Sequence, residues 1–177
     1  KSDKLFMDET RCPVLDPGRG RTKTGFLWAI ARDERAFGGS APPGVVFCYA
    51  DGRGGKHAEE FLAGFSGTLQ VDGYPGYNRL TKSTRTGGSV ILAYCWAHAR
   101  RKLKEVYDKD GSPIAAEGLR RIAEFYKIEA GIRGQSAANR KAARQELTKP
   151  LMKDFEIWLK IQRSRISAKC RLGEKLS

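Results

Sequence analysis

The sequence predicts an α/β protein: a mixed five-strand sheet flanked by helices, followed by a helical subdomain. Three observations predict it. Short apolar runs bounded by glycine and proline recur in the first part of the chain, stripes at helical spacing stand between the later runs, and beyond residue 112 no strand-like run is found.

The elements follow in order. Lys4–Thr10 and Phe26–Arg32 are apolar-rich and separated by the turn-prone stretch Asp16-Pro-Gly-Arg-Gly-Arg-Thr-Lys-Thr-Gly25, which reads as a long hairpin. Val45-Val-Phe-Cys-Tyr-Ala50 is a continuous apolar run too short for a helix, and it reads as a buried central strand. Lys56–Phe65 carries Ala58, Phe61, Leu62 and Phe65 at helical spacing. Thr68–Asp72 alternates as a strand and runs into the turn Gly73-Tyr-Pro-Gly-Tyr77, with a short helical stretch expected before Gly87-Gly88. Ser89–Trp96 is a second buried apolar strand, and His98–Asp108 a basic helix with Ala99, Leu103, Val106 and Tyr107 on one side. Three strands joined without helices form a meander, whereas strands joined through helices run parallel by right-handed crossover. Domains are therefore expected at 1–111 for the sheet and 112–177 for the helices. In the latter, Leu119, Ile122, Ala123 and Tyr126 form one stripe, and Leu151, Phe155, Trp158 and Leu159 another.

With 177 residues, 40% of them hydrophobic, the chain can bury one sizeable core plus a smaller helical unit. No run of about 18 apolar residues and no signal-peptide pattern occurs, so the expected compartment is the cytoplasm. Four cysteines, Cys12, Cys48, Cys95 and Cys170, are too sparse for a disulfide scaffold and read as free thiols. The chain opens on Lys1 and closes on Ser177 within a basic stretch, so both ends read as cut from a longer polypeptide.

The net charge of +13 favours approach to a polyanion and makes association salt-dependent. Residues 1–97 hold 13 basic and 10 acidic side chains, whereas residues 98–177 hold 20 and 10, so the second half is expected to carry most phosphate contact. Arg19, Arg21 and Lys23 lie in a glycine-punctuated loop whose backbone can approach phosphates closely; the Lys-Ser/Thr of a nucleotide P-loop is missing, which excludes that mode of ATP binding. Arg100, Arg101 and Lys102 are further expected DNA contacts, and Tyr74 and Trp96 offer stacking surfaces, with core packing the expected role of Trp96.

Asp8 leaves the first strand in Met7-Asp-Glu-Thr10, and Asp72 ends the fourth in Val71-Asp-Gly-Tyr74. Carboxylates leaving apolar strands either begin turns or pair with a cation, and two together suit Mg²⁺, a hard ion that takes oxygen ligands. Glu9 points to the opposite face by the period-2 rule and receives no metal. Cys95 and His98 form a Cys-x-x-His pair at a strand-to-helix junction. Two ligands do not make a zinc site, so their expected role is structural, with metal binding as the alternative.

A resemblance adds to this reading. Met7-Asp-Glu-Thr10, Val14-Leu-Asp-Pro-Gly-Arg-Gly-Arg-Thr-Lys-Thr-Gly25, Leu27-Trp-Ala29, Val71-Asp-Gly-Tyr-Pro-Gly-Tyr-Asn78, Cys95-Trp-Ala-His-Ala-Arg-Arg-Lys102 and the closing Arg171-Leu-Gly-Glu-Lys-Leu-Ser177 resemble, in order and over essentially the whole chain, the catalytic core of insertion-sequence transposases of the IS66 family. The resemblance implies a ribonuclease H-like fold with its first and fourth strands adjacent, Asp8 and Asp72 as the first two acids of a catalytic triad, Mg²⁺ or Mn²⁺ as cofactor, and transposon ends and target DNA as partners, with a homo-oligomer possible. In that family the third acid is a glutamate in a segment resembling Asp-Asn-Asn-x-x-Glu-Arg beyond the helical insertion. No such segment occurs here: Glu105, Glu124, Glu129, Glu146, Glu156 and Glu174 lack that context. The function expected is metal-dependent phosphodiester hydrolysis and strand transfer by a core that lacks its third acid. The alternatives are another ribonuclease H-like nuclease or a non-catalytic DNA-binding remnant of a transposase.

Overall fold

A computed structural model of the chain describes residues 2–167 and 172–173. Five strands, β1 (Lys4–Asp16), β2 (Arg21–Arg32), β3 (Gly44–Ala50), β4 (Gly67–Val71) and β5 (Val90–Tyr94), form one sheet in the order β3-β2-β1-β4-β5. β1, β2 and β3 pair antiparallel as a meander; β4 runs parallel to β1, and β5 parallel to β4. This is the mixed sheet of the ribonuclease H-like fold, with β1 and β4 adjacent as the resemblance implies.

The hairpin is longer than the sequence suggests. Pairing continues to Asp16 opposite Arg21, so only residues 17–20 turn, and Arg21 and Lys23 stand on β2 rather than in a loop. The Thr-Lys-Thr run pairs across to Pro13, Val14 and Leu15, and ladder hydrogen bonding overrides the local turn signal.

The pleat divides the sheet into two unlike faces. Met7, Trp28, Leu69 and Val71 point to one side, where α1 (Gly55–Phe61) and a 3-10 helix (Pro75–Thr81) contribute Ala58, Tyr77 and Leu80 to the core, beside Leu62. Trp28 lies at the centre, fully buried, with its ring edge-on to Phe61 and Tyr77 at 6.1 Å each. Gly55 admits the close approach of α1 to the 3-10 helix: a Cβ there would stand 2.2 Å from the carbonyl oxygen of Gly76. Arg85, a buried charge, donates to the carbonyls of Phe65 (2.6 Å) and Gly88 (2.9 Å) and also to that of Leu62, tying two turns together.

The opposite face leaves Leu27, Val45, Phe47 and Tyr49 exposed. Val45–Ala50 is therefore not the buried central strand expected. Among the described residues β3 is an edge strand, paired on one side only, and Phe47 is 65% exposed; β5, within the run Ser89–Trp96 also expected to be buried, is the other edge, with Ile91 and Tyr94 exposed. An apolar run reports a preference for burial; the place of a strand in the sheet is set by which neighbours the connections allow.

The chain divides into two compact units, Lys1–Cys95 and Trp96–Ser177. In the second, α2 (Trp96–Asp110) packs on α3 (Pro113–Gly131), followed by α4 (Ala137–Ala143), a π-helical turn (Arg144–Thr148) and α5 (Lys149–Arg165). Ser112 caps α3 by accepting from the Ala115 amide, with Pro113 in the first turn where its missing N–H costs nothing. Leu103, Ile122, Phe125 and Phe155 form the core of this unit, joined by Leu119, Leu151, Trp158 and Leu159 from the expected stripes. Tyr126, expected in the same stripe, is 43% exposed because Phe125 takes the inward position. Trp96 packs here, its ring centroid 5.0 Å from that of Phe125.

Candidate active site

Asp8 and Glu9 leave β1 on opposite faces. Asp8 is exposed, whereas the Glu9 side chain is fully buried. Glu9 stands beside Trp28, its partner across the β1–β2 ladder, on the face that also buries Met7. A carboxylate so placed needs compensation. It accepts hydrogen bonds from the Arg53 Nε and the Tyr77 hydroxyl. Burial pushes the Tyr77 hydroxyl pKa far above its usual value, reinforced by its bond to Glu9 and by the charges of Glu9, Asp72 and Asp8. All three carboxylates therefore act on one phenol.

Asp72 follows the last residue of β4. The parallel register pairs Lys4 with Thr68, Leu5 with Leu69 and Phe6 with Gln70, so Asp8 and Asp72 each lie two residues beyond the last ladder pair of adjacent strands. Neighbouring strands lie about 4.8 Å apart, a separation that one cation with metal–oxygen distances of about 2.0–2.6 Å can bridge between two carboxylates. Gly73, at φ 97°, turns the chain immediately after Asp72, in the left-handed region that favours glycine. The Tyr74 amide then donates to Asp72 Oδ1 at 2.8 Å, fixing the carboxylate at the strand end, while the Asp8 Oδ1 accepts from the Glu9 amide at 3.0 Å.

Arg53 completes the cluster. Its guanidinium lies over the Tyr74 ring, 4.0 Å from the centroid, and its Nη2 stands 3.7 Å from Asp72 Oδ2. The Tyr74 hydroxyl donates in turn to the Arg53 carbonyl at 2.9 Å. Burial works against the Arg53 charge, but the bond to Glu9 and the charges of Glu9 and Asp72 outweigh it and hold its pKa above the usual value. Sequence reasoning missed Arg53 and Tyr77. The available signal was Glu9 itself: sharing a face with Met7, it required partners from elsewhere in the chain.

The other expected site residues divide by unit. In the first, Arg19 is in the turn with Nε 3.5 Å from Asp16, and Arg21 and Lys23 are exposed on β2. In the second, Arg100, Arg101 and Lys102 are exposed on α2. Among the described residues no group of three or more His, Cys, Asp or Glu forms a ready metal cluster. Cys95 is a partly buried free thiol whose amide donates to the Val71 carbonyl at 3.0 Å, and Cys170 lies outside the described residues. His98, in α2, has a buried Nδ1 with no partner among the described residues. His98→Ala is expected to lower the melting temperature without changing metal content. Stoichiometric zinc in the purified protein, lost in both His98→Ala and Cys95→Ala, would establish the opposite.

The family model described as "Transposase IS66 family" matches residues 1–177. The chain belongs to this family. It is 44% identical over 175 residues to the uncharacterized protein y4jD of Sinorhizobium fredii, covering 98% of this chain and 34% of that protein. To y4qI of the same organism it is 39% identical over 180 residues, covering 99% of this chain and 33% of that protein. The chain thus spans about a third of the length of the curated relatives it matches. No solved structure matches it significantly. The carboxylates of Asp8 and Asp72, each two residues past the last β1–β4 ladder pair, are oxygen donors of the kind a hard divalent cation takes. No described helix is long and apolar enough to cross a membrane.

Proposed function

We propose that this chain is the catalytic-core portion of a cytoplasmic DNA transposase, in which Asp8 and Asp72 hold Mg²⁺ or Mn²⁺ for phosphodiester hydrolysis and strand transfer. One observation supports the reading: β1 and β4 are parallel neighbours in register up to Phe6–Gln70, two residues before Asp8 and Asp72. When bound, the divalent metal supplies charge stabilisation and activation of the attacking oxygen in an in-line displacement at phosphorus. Asp8 and Asp72 orient that charge, and the Tyr74 amide and the Gly73 turn fix one of them in place. Arg19, Arg21 and Lys23 in one unit, and Arg100, Arg101 and Lys102 in the other, contact the phosphates of transposon end and target.

The family's third-acid segment does not occur in residues 1–177, and two of the glutamates weighed for that role are engaged by bases, Glu129 by Arg144 and Glu156 by Lys160, as Glu117 is by Arg120 and Arg121. The bond from Arg120, with Arg121 adding to it, lowers the Glu117 pKa to about 2.

Two measurements test the proposal. Calorimetric titration with Mn²⁺ is expected to show binding that disappears in Asp8→Asn and in Asp72→Asn; unchanged binding in either variant would remove the assignment. Titration of duplex DNA at several salt concentrations is expected to show affinity falling steeply with salt and little sequence preference, since many phosphate contacts release counterions. Binding that is flat in salt would contradict the role given to the basic residues.

A further inference from the structure

Arg53 has more donors than the protein uses. Of its five N–H groups, only Nε–H has a hydrogen-bond acceptor among the described residues, the buried Glu9 carboxylate. Asp72 stands 3.7 Å from Nη2, a charge contact beyond hydrogen-bond length. The side chain is 41% exposed, so the outward edge of the fork is open to solvent. The guanidinium is nevertheless held, by Glu9 at Nε and by the Tyr74 ring beneath its plane, with Tyr77 bonded to the same Glu9 carboxylate. A rigid planar fork with free parallel donors matches two oxygens of one phosphate, and its ordering entropy is already spent.

Charge points the same way. Asp8, Glu9 and Asp72 bring three negative charges to the cluster and Arg53 brings one positive charge. Glu9 cancels Arg53 from within the core, leaving the exposed Asp8 and the half-buried Asp72 for a divalent cation and the guanidinium edge for an anion.

We infer that Arg53 is a DNA-binding residue of the site, a preset fork for the non-bridging oxygens of a backbone phosphate next to Asp72, with Glu9 and Tyr77 as its positioning residues. This rests on the proposed function and names the group that receives the phosphate. It also gives Glu9 a role: the carboxylate that sequence periodicity takes away from the cation aligns, on its own face of β1, the guanidinium that reaches Asp72. Arg19, Arg21 and Lys23 contact the duplex as exposed point charges, whereas Arg53 binds one phosphate in one orientation.

The test is duplex DNA binding in EDTA, which needs no cation at Asp8 and Asp72 and so fails or succeeds independently of that assignment. Arg53→Gln is expected to weaken binding about tenfold, the range of one charge-assisted contact, and to make the slope of log affinity against log salt shallower by about 0.9. Arg53→Lys keeps the charge without the fork and is expected to restore the slope but only part of the affinity. Since Arg53→Gln leaves Glu9 buried without its cation, the double variant Glu9→Gln/Arg53→Gln serves as control. It has the net charge of the parent and no unpaired buried carboxylate, so a tenfold loss there, with an unchanged melting temperature, reports the lost contact rather than bulk charge or misfolding. Parental affinity and slope in the double variant would overturn the inference, as would full rescue of affinity by Arg53→Lys.

Discussion

A polypeptide extended past Ser177 to the length of the chain's relatives is expected to nick and join a terminal-repeat substrate at least several hundredfold faster than residues 1–177, with Mg²⁺ or Mn²⁺ present in both assays. Two aspartates can anchor one divalent ion, but a two-metal displacement needs a further carboxylate to hold the second ion and fix the line of attack. Each such stabilising contact at the transition state is worth about 3–4 kcal/mol, or about two to three orders of magnitude in rate. Arg120, Arg144 and Lys160 already engage Glu117, Glu129 and Glu156 of the helical unit, and withdrawing one of these glutamates would leave a base unpaired. The assay compares three proteins: the short chain, the extended chain and the extended chain with Asp72→Asn. Asp72→Asn is expected to abolish turnover. If the short chain matched the extended one and Asp72→Asn silenced both, a third acid would have to lie within residues 1–177.

Trp28→Ala is expected to destabilise the sheet unit by about 3–5 kcal/mol, the range for deleting a fully buried large aromatic side chain. The cost arises from lost burial plus a cavity bounded by Phe61 and Tyr77, both in edge-on ring contact with Trp28. Tyr77 also donates to Glu9, so the cavity loosens the support behind Arg53. Urea denaturation followed by tryptophan-independent circular dichroism measures the change, with Phe47→Ala as the comparison. Phe47 is 65% exposed on the edge strand, and its removal is expected to cost no more than about 0.5 kcal/mol. Equal losses in the two variants would show that β3 is covered in solution and that Trp28 is not the centre of the core.

Much of this protein is decided locally. Alternation in Thr68–Asp72 and helical spacing in Lys56–Phe65 each identify an element from its own residues, because pleat and helix repeat are set within a few positions of the chain. The same alternation separates Asp8 from Glu9, and the motifs around Asp8, Asp72 and Cys95 identify the family over all 177 residues. Three things required the tertiary structure. The Val45–Ala50 run is as apolar as a central strand yet lies at the edge of the sheet, because strand order depends on how connections cross and not on any one strand's composition. Arg21 and Lys23 look like loop residues until the ladder with β1 draws them into β2. Arg53 and Tyr77 lie 44 and 68 positions from Glu9, and only the stacking of α1 and the 3-10 helix on one face of the sheet brings their donors to the carboxylate. A buried charge advertises in the sequence that it needs a partner, but which residue answers is fixed by long-range packing, and that pairing is what leaves the open edge of Arg53 beside Asp72.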